Sequence, residues 1–232
     1  MLPNDLNNND VPLKVPVIID SCAWNFFYRT GAILTELFPS EKFRCFQTSH
    51  IAIELQSIPD VGKDGSDKRA LKGYIEQGLV DLQVKTLAFF GFASTEPDGS
   101  PSRIQTAGNF GHGTFMSDAQ RARLEDPRLR SMMGSTATRS SGLVHDAADH
   151  SLVLHSVDSM IVTAEKRDKK GPIKLASEFG TPVLYLLEME REGIALQDLV
   201  ANVSEHWDEI IAHGSIPAGL FTLAASRIAR AE

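Results

Sequence analysis

Short apolar runs, each closed by an acid, do most to limit what this chain can become. Val15–Ile19 is an unbroken, largely β-branched apolar stretch that ends at Asp20. A strand without polar alternation suits burial on both faces, as in a parallel sheet. Met160–Thr163 is a second such run, and Glu165 follows it. Helical patterns fall between the strand patterns, which predicts a doubly wound α/β sheet. Ligands of such sheets bind outside the carboxyl ends of the strands. Asp20 and Glu165 therefore stand where this class of fold does its chemistry.

The remaining elements follow from pattern and punctuation. A helix is expected from about Cys22, carrying Trp24, Phe26, Phe27 and Tyr28, with Gly31 ending it. A short helix follows at 33–38 and a strand piece at 46–48. Ser49 is read as the N-cap of a helix over 50–57 that contains Glu54. A helix at 67–77 leads to alternating residues at 80–87, read as a strand. Further on come a helix at 146–156, a strand at 160–163, a helix at 168–178 ended by Gly180, and a strand at 182–187. Helices over 196–212 and 218–229 complete the chain.

The 232 residues suit one large domain with an insertion. Residues 1–14 read as a disordered leader and 15–232 as a single domain. The insertion spans about 91–141, where loop composition, glycines and a helix near 117–124 replace the α/β pattern. No apolar run approaches the roughly 20 residues of a membrane span. The N-terminus lacks the basic and apolar regions of a secretory signal. Cys22 and Cys45 lack a metal-type spacing, which suits a reducing cytosol and excludes a disulfide scaffold or zinc site. The expected location is cytoplasmic, with no membrane partner.

The chemistry rests on carboxylates. Asp20 and Glu165 close strands, Glu54 lies in a helix, and Asp146 and Asp149 flank two alanines. Each has an ordinary structural reading. Asp20 suits a helix N-cap, Glu54 an exposed helical position, and Asp146 and Asp149 the acidic first turn of a helix. Asp146 and Asp149 share a helical face, and like charges so placed cost a few tenths of a kcal/mol unless a cation relieves them. Asp149 is the preferred ligand and Asp146 its competitor. Thr163 shares a side with Glu165 and is placed to orient water or phosphate; Asp168 is a fallback acid. Four acids in one crevice call for a divalent cation, and an all-oxygen set suits Mg²⁺ or Mn²⁺. His112, in the glycine-rich 108–114 stretch, is a weak general-acid candidate. Cys22 has no basic partner in sequence to make it a nucleophile.

Net charge is −7, which argues mildly against a nucleic-acid partner. Locally the balance reverses. Arg121, Arg123, Arg128, Arg130 and Arg139 are closely spaced, and Lys166, Arg167, Lys169 and Lys170 follow Glu165. Arg121, Arg123, Arg128, Arg130 and Lys166 are the expected phosphate contacts. Solvated helix faces are the alternative.

Ile18-Ile19-Asp20-Ser21-Cys22-Ala23-Trp24 resembles the opening strand and first acid of the PIN-domain nucleases. Ser49-His50-Ile51-Ala52-Ile53-Glu54-Leu55 resembles their helical second acid. Asp149-His150-Ser151-Leu152, followed by Ile161-Val162-Thr163-Ala164-Glu165, resembles the third acid and then the strand with a threonine and a fourth acid. The resemblance covers roughly 15–58 and 144–187. It implies a PIN-like three-layer α/β/α fold around a mainly parallel sheet. It also implies a Mg²⁺- or Mn²⁺-dependent endonuclease hydrolysing phosphodiester bonds, most often in RNA. Asp20, Glu54, Asp149, Thr163 and Glu165 would be its catalytic residues, and Asp20, Glu54, Asp146, Asp149 and Glu165 its metal set. DNA stays open as a substrate. A protein regulator and a homodimer are the further partners such a resemblance suggests. Two departures stand out. The fourth acid is Glu165 where the family usually has Asp, and the insertion widens the gap between Glu54 and Asp149. The first of these supports a rival reading, a catalytically inactive PIN-like module that binds RNA or protein. A phosphatase with Asp20 as nucleophile ranks last, because that chemistry wants a second Asp where Cys22 stands.

Overall fold

Five parallel strands run through the molecule in the order β3-β2-β1-β4-β5. They are β1 (Val15–Ile19), β2 (Phe43–Thr48), β3 (Lys85–Leu87), β4 (Met160–Thr163) and β5 (Val183–Tyr185). The computed structural model describes residues 14–90, 113–132, 138–139, 141–144 and 146–216. Residues 1–13 of the leader, His112 and the helix expected at 218–229 lie outside them.

β1 holds the centre because its side chains want no water on either face. Val17, Ile18 and Ile19 are fully buried, as are Ile161 and Val162 of the neighbouring β4. Ile18 lies opposite Phe46 on one side and Ile161 on the other. The Asp20 amide extends the ladder one residue beyond the strand by donating to the Val162 carbonyl at 3.0 Å. That bond fixes the backbone of the first acid.

The helices are α1 (Ser21–Thr30), α2 (Leu34–Leu37), α3 (Ser49–Gln56), α4 (Arg69–Asp81), α5 (Asp118–Glu125), α6 (Pro127–Met132), α7 (Ala147–His155), α8 (Pro172–Glu178), α9 (Leu186–Arg191), α10 (Leu196–Glu205) and α11 (Trp207–His213). They flank the sheet in an arrangement consistent with three α/β/α layers. β2 and β3 lie on one side of β1, and β4 and β5 on the other. This change of winding direction opens a crevice at the carboxyl ends of β1 and β4. No helix of the described residues is long and apolar enough to cross a membrane.

Aromatic packing secures α1 beneath the crevice. Phe27 meets Trp24 and Phe38 edge to face, at centroid distances of 6.4 and 6.1 Å. Gly31 ends α1 in the left-handed region at φ 66°, and its N–H bonds the Phe27 and Tyr28 carbonyls. Gly78 lets α4 approach closely, since a Cβ there would fall 2.6 Å from Leu34 and 2.7 Å from Trp24.

Several boundaries differ from expectation. Thr48, not Ser49, caps α3, its hydroxyl accepting from the Ile51 amide at 3.3 Å. The alternating stretch from Val80 belongs to the end of α4 and its cap, leaving only Lys85–Leu87 as strand. Asp168 lies in a turn before α8, whose N-cap is Gly171. The helix expected at 196–212 is broken at His206 into α10 and α11. Within the insertion, α5 begins with a Ser117–Gln120 capping box and packs on α7, while α6 packs on α8. Arg139 and Leu143 form a tight turn, closed by a 2.8 Å bond from the Arg139 amide to the Leu143 carbonyl, with Leu143 buried.

Candidate active site

Asp20 occupies the N-cap position of α1 but makes no side-chain cap bond. Its carboxylate is turned into the crevice instead. The Thr163 hydroxyl donates to Oδ2 at 2.7 Å, and the Cys22 thiol donates to the same oxygen at 2.8 Å. Ser21 Oγ lies 3.4 Å from Asp20 Oδ1 and donates to Glu54 Oε2 at 2.8 Å, linking the first two acids. Asp20 is 3 % exposed. A carboxylate that deep persists only when hydrogen-bonded or paired.

Thr163 is fully buried, and its single hydroxyl proton goes to Asp20. Its oxygen also accepts from the Glu165 amide at 3.1 Å. The expectation that Thr163 orients a water or phosphate is corrected: its hydroxyl positions Asp20. Cys22 is likewise committed. Its sulfur accepts from the Ala164 amide at 3.2 Å, and burial, with the neighbouring Asp20 charge, pushes the thiol pKa well up. It is a donor in its neutral form, not a nucleophile.

Two cations cover the glutamates. Arg139 reaches across from the insertion to Glu54 Oε1 at 2.5 Å. Lys169 pairs with Glu165 one helical turn's spacing away. The glutamate side chains are mostly buried, while both cations are partly open to water.

Among the described residues Asp149 has no such partner, and it shows the consequence. Burial, followed by the charges of Asp20 and Glu165, pushes its pKa up to about 7; Lys169 opposes the shift and Glu54 adds to it. The four acids thus share one electrostatic environment, although they come from the ends of β1 and β4 and from α3 and α7. Asp146 lies at the cap position of α7 in a left-handed conformation, φ 67°, without a side-chain cap bond. Its carbonyl accepts from the His150 ring Nδ1 at 2.8 Å. Of the two competitors, Asp149 is the one buried among the other acids.

Sequence reasoning missed the histidines behind the crevice. His50 on α3 and His155 on α7 are held neutral, each with its pKa lowered to about 4 mainly by burial. His50 Nδ1 and His150 Nε2 are buried without a hydrogen-bond partner among the described residues. Phe89 stacks on His155 at 4.0 Å. The apolar and aromatic neighbours that produce this burial come from other segments, so no local pattern announces it.

The donor chemistry suits a hard divalent cation: four carboxylates, one carrying an unfavourable charge that a cation would relieve. Among the described residues, no three His, Cys, Asp or Glu side chains are arranged to hold a metal ion. Arg139 and Lys169 instead sit on the two glutamates. The fit is therefore one of chemistry and charge.

Of the arginines expected to contact phosphate, one serves another end and three lie at the surface with local partners. Arg123 is buried; its guanidinium donates to the Val153 carbonyl at 2.7 Å and to Ser156 Oγ at 3.2 Å, and it stacks over Phe179. It ties α5 to α7, which corrects its assignment to the nucleic-acid surface. Arg128 is exposed but pairs with Asp126 and Glu178. Arg130 donates to the Leu124 carbonyl, and Arg121 lies 3.9 Å from Asp118. Lys166 remains exposed beside the crevice.

No protein-family model matches this chain, and neither a curated protein nor a solved structure matches it.

Proposed function

We propose that the protein is a Mg²⁺- or Mn²⁺-dependent endoribonuclease with a PIN-like fold. One observation carries this reading: Asp149 is buried among Asp20, Glu165 and Glu54 at the switch point of the sheet, with its carboxyl pushed up to about 7. A fold rarely keeps such a charge cluster without a use for it. Asp20 and Asp149 would hold the ion, with Glu54 and Glu165 completing the set. The ion would supply Lewis acidity and charge neutralisation at the phosphate. Thr163, Cys22 and Ser21 hold Asp20 in one orientation. Arg139 and Lys169 hold Glu54 and Glu165 in place until the ion takes over their role.

The test is cleavage of labelled single-stranded RNA with Mn²⁺, Mg²⁺ or EDTA, by wild type and Asp20→Asn together. Metal-dependent cleavage lost in the variant is the expected result. The ion pairs on Glu54 and Glu165 favour a second reading, a PIN-like module that binds RNA without cutting it. RNA binding with no cleavage under any metal condition would select that module.

A further inference from the structure

Lys166, Arg167, Lys174 and Arg191 line a cleft of about 710 Å³ between the β4–α8 loop, α8 and α9. It begins one residue beyond Glu165. Its acids are Asp168 and Glu188. Glu188 is already engaged, with Arg167 at 3.2 Å and Arg191 at 4.0 Å. Arg167 also lies over the Tyr185 ring, 5.4 Å from its centroid, which holds the guanidinium against the wall. Among the described residues, Lys166 and Lys174 have no ion pair; Lys166 is exposed and Lys174 is half-buried in the cavity wall. Lys174 lines a second cavity as well, of about 360 Å³ between α6 and α8, with Lys170, Arg128 and the Glu178 that pairs with Arg128.

This concentration of positive charge belongs to a chain of net charge −7. Each cavity has room for more than one phosphate, and Lys174 lines both, which suits a chain of phosphates. Leu187 in the first cavity gives a base an apolar surface. We infer that the two cavities are the track along which a single strand of RNA runs from the acidic crevice, its phosphates met by Lys166 and Lys174. The direction of the strand rests on the endoribonuclease reading; the binding surface does not.

The experiment measures binding of a labelled single-stranded RNA by fluorescence anisotropy in EDTA, so that no cleavage intervenes. Wild type is compared with Lys166→Glu/Lys174→Glu and with Lys42→Glu, a charge reversal at an exposed position just before β2. The double variant should bind at least about 10-fold more weakly, and its salt slope should fall by about 1.4 for two lost single-strand phosphate contacts. Lys42→Glu should bind as wild type does. Thermal melts check folding, and Lys166→Gln/Lys174→Gln repeats the test with the smaller perturbation. Equal binding by wild type and both double variants overturns the track. So does no RNA binding by wild type, or a preference for duplex DNA or an acidic peptide. Cleavage with Mn²⁺ runs in parallel to separate the two ideas. Cleft-dependent binding without cleavage sinks the nuclease and keeps the track. Cleavage at unchanged KM by the double variants keeps the nuclease and sinks the track.

Discussion

Asp20 and the two glutamates meet the same electrostatic problem in different ways. Asp20 is held by neutral donors, the Thr163 hydroxyl and the Cys22 thiol, which leave its charge uncancelled. Glu54 and Glu165 are held by Arg139 and Lys169, which cancel theirs. Asp149 has neither and answers by tending to keep its proton. The contrast separates orienting a charge from neutralising it. Neutral donors fix Asp20 and leave it available to a cation. Ion pairs fix the glutamates but must be displaced before those oxygens can bind anything else.

The sharpest break in this comparison is Asp20→Asn. It keeps the side chain's size and an acceptor for Thr163, while removing a charge that the neutral donors orient but do not cancel. Cleavage of single-stranded RNA in Mn²⁺ should fall by more than about 100-fold, beyond the loss typical of a ligand's orienting partner. The melting temperature should move little. Unchanged cleavage would remove Asp20 from the centre of the site.

Asp149→Asn tests the acid without a partner. Its raised pKa means that the folded state holds the proton more tightly than the unfolded chain does. The stabilisation is fully present below the ordinary value of 3.8 and is lost as pH rises through about 7. At about 1.4 kcal/mol per pKa unit, the wild type forfeits at most about 4 kcal/mol by pH 8. The variant should therefore be the more stable protein at pH 8 and lose that advantage near pH 4, as seen in paired thermal melts. The histidines act in the opposite sense. His50 and His155 have lowered pKa values, so their contribution is lost as pH falls from 6.5 through about 4, in both proteins alike. The difference between the two melting curves isolates Asp149. Mn²⁺ should raise the wild-type melting temperature more than the variant's at pH 8.

Thr163→Val removes the orienting hydroxyl but keeps the shape. Asp20 and the Glu165 amide each lose a buried partner, which should cost about 1–3 kcal/mol. Activity should drop about 10- to 100-fold through kcat, with RNA binding in EDTA unchanged. A variant as active as wild type would show that Asp20 needs no such tether. The smallest effect belongs to Arg139→Gln. A partly exposed pair contributes about 0–1 kcal/mol, so stability should hardly change. With Glu54 released, the Mn²⁺ concentration giving half-maximal stabilisation should fall. A rise would mean that Arg139 supports the site rather than shielding it.

Much of this arrangement could be read from the chain. The strands at Val15–Ile19 and Met160–Thr163 were legible because full burial leaves an unbroken apolar run, and the acids after them follow from the fold class. Glu54 and Asp149 were legible as helical acids. The alternation from Val80 misled because Leu82 is buried while Val80 is exposed, a pattern that the last turn of a helix produces as well as a strand does. Arg123 misled for another reason. Its charge looked like a surface feature, yet the carbonyl and hydroxyl that pair with it come from α7. Lys174 and Arg191 went unnoticed because only the fold brings α8 and α9 to line one cleft. Cys22 looked inert in sequence because its partner is a carboxylate two residues back rather than a base.

The Arg139 contact also bears on how such a protein can change over generations. The guanidinium over Glu54 is contributed by the insertion and not by the sheet and helices that place the acids. Substitution at this one position would alter the charge of the crevice without disturbing the core beneath it. Selection can therefore adjust the appetite of the crevice for cations through a segment whose other residues answer to different demands.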